Sequence, residues 1–198
     1  MVNTDVIILA AGNSSRFGIP KLFLKMRNGL TFIETLVNIY LEFGCKDIIL
    51  ILNQNHSEDF TNTFPETFGS KIKIICNDKT ELGRFYSLKL GAGAVSDCDY
   101  CFIQNIDNPF TDTATLQKLY NSRKPDSYIN PVYSDKGGHP VLIHRKILDC
   151  IRTETNISLN TKEFLNKFNK INVRTENDKI LANINTPDDY KFYFEQSA

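Results

Sequence analysis

The run Ile48–Leu52, IILIL, is apolar throughout, and a strand without polar–apolar alternation is one covered on both faces, as in parallel sheets packed between helices. Shorter apolar runs recur at Val6–Leu9, Ile72–Cys76 and Tyr100–Ile103. Between the first two lies helical spacing: Phe32, Leu36, Ile39, Tyr40 and Phe43 share one face of a helix over Phe32–Phe43, with Gly44 at the C-cap position. Strands alternating with helices predict a three-layer α/β domain with a mainly parallel sheet. Ligands of such sheets sit at the carboxyl ends of strands. Three segments fall there: the loop after Leu9, the Gln104–Pro109 turn after Ile103, and the turn NTPDD after Ile184.

The remaining elements follow the same logic. Phe60–Phe68 reads as a weaker helix interrupted by Pro65, and Thr80–Ala94 as a loop continuing into a helix that turns Phe85, Leu88 and Ala92 to the core. Thr113–Tyr120 is a helix capped by Thr111 or Asp112. Tyr128–Tyr133 and Pro140–Ile143 are β-like, Lys162–Phe168 is a short helix, and Ile171–Val173 and Ile180–Ile184 are strands. Pro187 opens a last helix through Tyr193. With 198 residues and neither repeat nor linker, one domain over 1–198 is expected, burying about 70% of its unfolded surface.

Composition excludes several classes. The 23 basic and 23 acidic residues balance, which disfavours a nucleic-acid partner. Apolar stretches fall short of the roughly 20 residues of a membrane span. The N-terminus lacks a basic region before its apolar run, so no signal peptide is expected and the cytoplasm is. The five cysteines, Cys45, Cys76, Cys98, Cys101 and Cys150, fit reduced thiols. Cys98 and Cys101 form a C-x-x-C with no second pair to complete a zinc site, so they read as core residues.

Leu9–Lys21, LAAGNSSRFGIPK, carries the chemistry. Ala10, Ala11 and Gly12 leave main-chain N–H groups uncovered, Asn13, Ser14 and Ser15 favour turns and add donors, and Arg16 and Lys21 supply positive charge. Such a loop suits a polyphosphate; without the cations it would read as an ordinary tight turn. Asp107, on the turn IDNP, is a natural Mg²⁺ ligand or simply a turn-forming residue. Asn183 and Asn185 alternate with Ile184, which on a strand would point both into one cleft, whereas Asp188 and Asp189 suit the first turn of a helix. Gly83, Ser87 and Gly91 share one helix face, open to a ligand or to another backbone. His139, after Gly137 and Gly138, is placed to donate to a phosphate or to serve the turn itself; His56 and His144 fit no pattern. P-loop, dinucleotide-binding and nucleophile-elbow motifs are missing from the sequence. The D-x-D of Asp97 and Asp99 precedes its strand instead of ending it.

Together these segments resemble the MobA/MocA-like nucleotidyltransferases. LAAGNSSRFGIPK matches the family's L-A-[AG]-G-x-S-x-R-[MF]-G-x-x-K, and GRFYSLKLG at 83–91 matches G-x-x-x-S-L-x-x-G. IDNPF, GGHPVLI and NINTPDDY are similar to its acidic turn, its G-H-P-V segment and its D-I-D-T-P-E-D-L, with Asn183 and Asn185 where the family has aspartates. The resemblance implies a Rossmann-like nucleotide-diphospho-sugar transferase (GT-A-like) fold. It also implies Mg²⁺ dependence and transfer of a nucleoside monophosphate from an NTP to a small phosphorylated acceptor, releasing pyrophosphate. Ala11 points to CTP. Leu9 to Ser15, with Gly83 and Ser87, would bind the nucleotide; Arg16 and Lys21 would be catalytic; Asp107 and Asn185 would hold the metal; His139 would face the acceptor. A monomer or homodimer is expected, and the two asparagines keep open an inactive nucleotide-binding or regulatory relative. A sugar-phosphate or phosphocholine-type acceptor stays open as well.

Overall fold

The computed structural model describes residues 3–14, 16–64 and 72–194. Its strands are β1 (Thr4–Ala10), β2 (Ile48–Asn53), β3 (Ile72–Asn77), β4 (Tyr100–Asn105), β5 (Ser127–Tyr133), β6 (Lys136–Gly137), β7 (Val141–His144) and β8 (Asn169–Arg174). They form one sheet in the order β3-β2-β1-β4-β7-β5-β6, with β8 also paired to β5. The half around β1 is parallel, Ile7 lying opposite both Ile49 and Ile103. At β7 the direction reverses, since β7 runs antiparallel to β4 and β5. Four of the seven ladders among the described residues are parallel, β5 with β8 included, so the sheet is mainly parallel as expected, its antiparallel pairs gathered at β6 and β7.

Helices cover both faces. On one, α1 (Phe32–Phe43), α2 (Ser57–Thr63), α4 (Thr113–Asn121) and α7 (Pro187–Phe194) pack against Val6, Ile8, Leu50 and Phe102. On the other, α3 (Gly83–Ala94), α5 (Arg145–Thr153) and α6 (Thr161–Leu165) cover Ile7, Ile49, Ile51 and Cys101. This division explains why the central strands are apolar at every position. Helix α1 has the expected bounds because both ends carry local signals. Thr31 and Glu34 form a capping box, and Gly44 takes a left-handed φ of 94° that closes the C-terminus. Each of its fully buried Leu, Ile and Phe side chains contributes about 2 kcal/mol. Asp112, not Thr111, caps α4, its carboxylate accepting from Thr115 N.

Four elements depart from expectation. Helix α5 was not anticipated: Ile147, Leu148 and Ile151 bury one side of it, and the cap comes from the His144 ring, an unusual capping group. Ile180–Ile184 is not a strand. A 3₁₀ turn over Asp178–Leu181 leads into irregular chain whose Ile180, Ala182 and Ile184 are buried, so the alternation is real while the ladder is not. Its carbonyls are instead taken by the Asn108 amide, which donates to Lys179 O, Ile180 O and Ala182 O. Helix α6 ends at Leu165, short of Phe168. The expected helix over Phe60–Phe68 is seen as α2, ending at Thr63; Pro65 and the residues through 71 lie outside the described residues. Among the described residues no helix is long and apolar enough to cross a membrane.

Candidate functional site

A cavity of about 320 Å³ opens at the carboxyl ends of β1 and β4. The chain leaves β1 through Ala11, Gly12, Asn13 and Ser14, all of which line it. Among the described residues a Cβ built on Gly12 would meet nothing within 4 Å, so its backbone is left uncovered by them. Ser14 sits at φ 48°, a left-handed turn that lets its carbonyl accept from Phe17 N and its hydroxyl from Lys21 N at 3.1 Å. The Ser14 oxygen thus fastens Lys21 to the loop. Asn13 Oδ1 accepts from Asn53 Nδ2 at 3.0 Å and from Thr80 Oγ1 at 3.3 Å, tying the loop to β2 and to the turn before α3. Arg16 is exposed and lines the same cavity. Ser15 lies outside the described residues.

Lys21 reaches across the cavity. Its Nζ donates to Asn185 Oδ1 at 2.8 Å. Burial holds its pKa below the ordinary value, with Asp107 pulling the other way and Arg16 and Arg84 adding to the depression. Asn185 is held by the start of α7: Asp189 Oδ2 accepts from Asn185 N at 2.9 Å and Thr186 N at 2.8 Å, while Asp189 N donates to Thr186 Oγ1. Those N–H bonds keep the Asp189 carboxyl below its usual range against the desolvation that would raise it. Asn183 is not part of this arrangement. It is exposed, it donates to Leu181 O, and with no strand there it does not share the orientation of Asn185.

Asp107 forms the facing wall, positioned by the turn after β4. Buried Gln104 braces that turn, accepting from Tyr40 Oη and Thr111 Oγ1 and donating to Asn105 O and Asn108 O. Asp107 is 7% exposed. Its Oδ2 lies 3.8 Å from Arg84 Nη2, and its buried Oδ1 has no hydrogen-bond partner among the described residues. Such an oxygen is costly to leave unpaired, and together with the Asn185 carbonyl it offers the hard oxygen donors a divalent cation takes. Among the described residues no group of three or more His, Cys, Asp or Glu gathers as a fuller metal cluster. Cys98 and Cys101 are buried, and burial pushes the Cys98 thiol up to about 12 and raises that of Cys101 well above the ordinary thiol value, which keeps both protonated.

Helix α3 supplies a third wall. Gly83 and Ser87 line the cavity, Gly83 at φ 85° and Ser87 accepting from Asn77 Nδ2 at 2.9 Å. Gly91 does not: a Cβ there would press on the Ile7 and Ile51 side chains, so it serves packing against the sheet. Leu9 and Ala11 also line the cavity, whereas the Ala10 side chain packs in the core on the opposite face of β1.

A second cavity, of about 580 Å³, adjoins the first and shares Leu9, Arg84 and Asn105 with it. His139 lies here and not in the first. Asn105 Nδ2 is 2.9 Å from its Nε2. An amide nitrogen has no lone pair to offer and so donates, which leaves the neutral ring's proton on Nδ1. Burial lowers the ring's pKa, the nearby Asp107 opposing and Arg84 assisting. Gly138 N donates to Pro131 O and His139 N to Ile180 O, so the segment that failed to form a strand fixes this turn. Arg84, Lys162 and Lys170 line the second cavity, and among the described residues no carboxylate lines it. Sequence reasoning missed Arg84, Asn105 and both lysines. Arg84 fills an open position of the 83–91 segment, and nothing local distinguishes the others from surface polar residues.

The MobA-like NTP transferase domain model matches residues 6–167. The chain is 32% identical over 190 residues to the molybdenum cofactor cytidylyltransferase of Escherichia coli (strain K12), covering 94% of this chain and 93% of that protein. It is 23% identical over 167 residues to nicotine blue oxidoreductase of Paenarthrobacter nicotinovorans, covering 80% and 79%. Among solved structures, Rv0371c of Mycobacterium tuberculosis H37Rv in complex with manganese superposes with a TM-score of 0.76 at 17% identity, covering 98% of this chain and 99% of that one.

Proposed function

The chain belongs to the MobA-like NTP transferase family, and from that premise we propose that it moves a nucleoside monophosphate, CMP from CTP, onto a small phosphorylated acceptor with release of pyrophosphate. The observation that carries this reading is the pair of adjoining cavities. One is walled by the loop, Lys21 and Asp107, the other is cationic, and they meet at Leu9, Arg84 and Asn105. The E. coli relative is named for cytidylyl transfer, and in this reading Ala11, which lines the first cavity, would lie near the base.

In this reading the N–H groups of Gly12 to Ser14 hold the β- and γ-phosphates, and Gly83 and Ser87 leave room for the nucleoside. An acceptor phosphate oxygen attacks the α-phosphorus in line. The bond to the α–β bridging oxygen breaks, and its electron pair leaves with pyrophosphate. Lys21 and Arg16 offset the charge that gathers on the leaving group; for such chemistry, positioning and charge neutralisation are most of what a protein supplies. Asp107 and Asn185 would hold a divalent cation, Mg²⁺ in this proposal, which would supply Lewis-acid neutralisation of phosphate charge. The manganese complex of Rv0371c supports a divalent site in this fold. His139 faces the acceptor from the second cavity.

The lining of that cavity narrows the acceptor. Three cations and no carboxylate favour an anionic molecule, such as a sugar phosphate, over a phosphocholine-type one whose quaternary ammonium would meet Lys162 and Lys170. The five free cysteines suit a reducing compartment, and we expect a cytoplasmic monomer or homodimer. A second reading rests on Asn185, uncharged and already engaged by Lys21: a nucleotide-binding regulatory relative without turnover. Pyrophosphate release across the four NTPs, with and without phosphorylated acceptors, separates the two. Release with CTP and one acceptor is the expected result, and tight CTP binding without release under any acceptor establishes the regulatory reading.

A further inference from the structure

Both oxygen donors of the first cavity face cations of the chain itself. Asn185 Oδ1 receives Lys21 Nζ at 2.8 Å, and Asp107 Oδ2 has Arg84 Nη2 at 3.8 Å. The two contacts differ in kind. Lys21 is half-buried and bonded to its partner, whereas the Arg84 side chain is 58% exposed and beyond hydrogen-bond distance. Partly exposed pairs of this sort hold weakly. A divalent cation on Asp107 would carry twice the charge at a much shorter range and would repel the guanidinium. Arg84 also lines the second cavity, so its displaced head has a destination among groups that would hold an anion.

We propose that Arg84 is an exchange residue that pairs with Asp107 in the ligand-free protein and, once Asp107 takes a divalent cation, serves a phosphate in the second cavity. The inference rests on the metal and acceptor assignments of the preceding section and adds a coupling between them. Loading the first cavity raises the anion affinity of the second, and by linkage the reverse holds. A guanidinium is suited to this because its planar fork grips a phosphate bidentately, which an ammonium cannot do.

Two titrations test it, neither needing turnover. In the first, Mn²⁺ binding to the nucleotide-free protein is followed by electron paramagnetic resonance. Arg84→Gln should bind Mn²⁺ about threefold tighter, having lost the competing cation, while Asp107→Asn should bind it at least roughly tenfold weaker. In the second, inorganic phosphate is titrated calorimetrically into protein saturated with Mg²⁺ and a methylene-bridged CTP analogue. Arg84→Gln should lose about tenfold in phosphate affinity and Arg84→Lys should fall between. The exposed side chain makes both Arg84 variants safe for folding. If Arg84→Gln leaves either the Mn²⁺ or the phosphate affinity unchanged while Asp107→Asn still weakens Mn²⁺ binding, the exchange is overturned and the metal assignment stands. If Asp107→Asn also leaves Mn²⁺ affinity unchanged, the metal assignment falls and the exchange with it.

Discussion

Two buried carboxylates mark opposite ends of the sheet. Asp5 lies near the start of β1 and is fully buried. Its Oδ1 accepts from Asp47 N at 3.1 Å, and its Oδ2 from Ser96 N at 3.1 Å and Ser96 Oγ at 2.9 Å. Every one of those donors is uncharged and belongs to a connecting segment, so Asp5 clips two loops to the amino end of the sheet. Asp107, past the end of the adjoining β4, has a buried oxygen with no hydrogen-bond partner among the described residues and the Arg84 guanidinium on its open side. Both residues are nearly sealed from water, so burial does not separate a structural carboxylate from a candidate ligand. The completeness of the hydrogen-bond set does.

The contrast is breakable, most strongly at Asp107. Asp107→Asn should lower the rate of pyrophosphate release on the order of 10²–10³-fold while moving the melting temperature by less than about 2 °C. A large fall in melting temperature would make Asp107 a second Asp5. The converse variant, Asp5→Ala, orphans the Asp47 and Ser96 donors and should cost about 3 kcal/mol, seen as a fall of roughly 6–12 °C in the melting temperature. Its CTP affinity, measured below that transition, should match the parent's.

A smaller effect sharpens the role of the neighbouring cation. Because burial lowers the Lys21 pKa from the ordinary 10.5, the side chain loses its proton, and with it the charge the site needs, as pH climbs through that lowered value. The alkaline limb of the rate profile should therefore fall earlier than pH 10.5 would suggest. Lys21→Arg should flatten that limb, at about a tenfold lower plateau, since the guanidinium fork does not reproduce the ammonium's compact charge beside the leaving group. Smallest is Asp189→Ala, which removes the carboxylate that accepts from Asn185 N and Thr186 N and should cost about 1 kcal/mol. The Asp189 pKa is depressed in the folded state, so its contribution is full above the unfolded carboxyl value and disappears as pH falls through the depressed one. Melting curves of parent and variant should differ near neutrality and converge in strong acid.

Much of the parallel half was legible because its signals are local. The unbroken apolar runs, the Thr31–Glu34 box and Gly44 are read within a few residues of each other. The family motif located the loop, Asp107 and the turn at Asn185 for the same reason: spacing along the chain survives without coordinates. Helix α5 was missed because its cap is a histidine ring and its apolar face is only three residues wide. Ile180–Ile184 was misread because alternation records burial, and burial is shared by strands and by irregular chain pinned from elsewhere.

The sequence alone determined that the chain would build a sheet covered on both faces and that a small-residue loop with two cations would end its first strand. Hydrophobic periodicity and backbone preference act over short distances, so a linear reading captures them. Tertiary structure decided which polar atoms meet. Lys21 and Asn185 are 164 positions apart, Asn105 and His139 34, and Asn108 and Ala182 74. Whether an asparagine turns into the cavity, as Asn185 does, or out to water, as Asn183 does, depends on those long-range bonds. The pairing of Arg84 with Asp107 has the same origin, since helix α3 and the turn after β4 come together only when the sheet has formed between them.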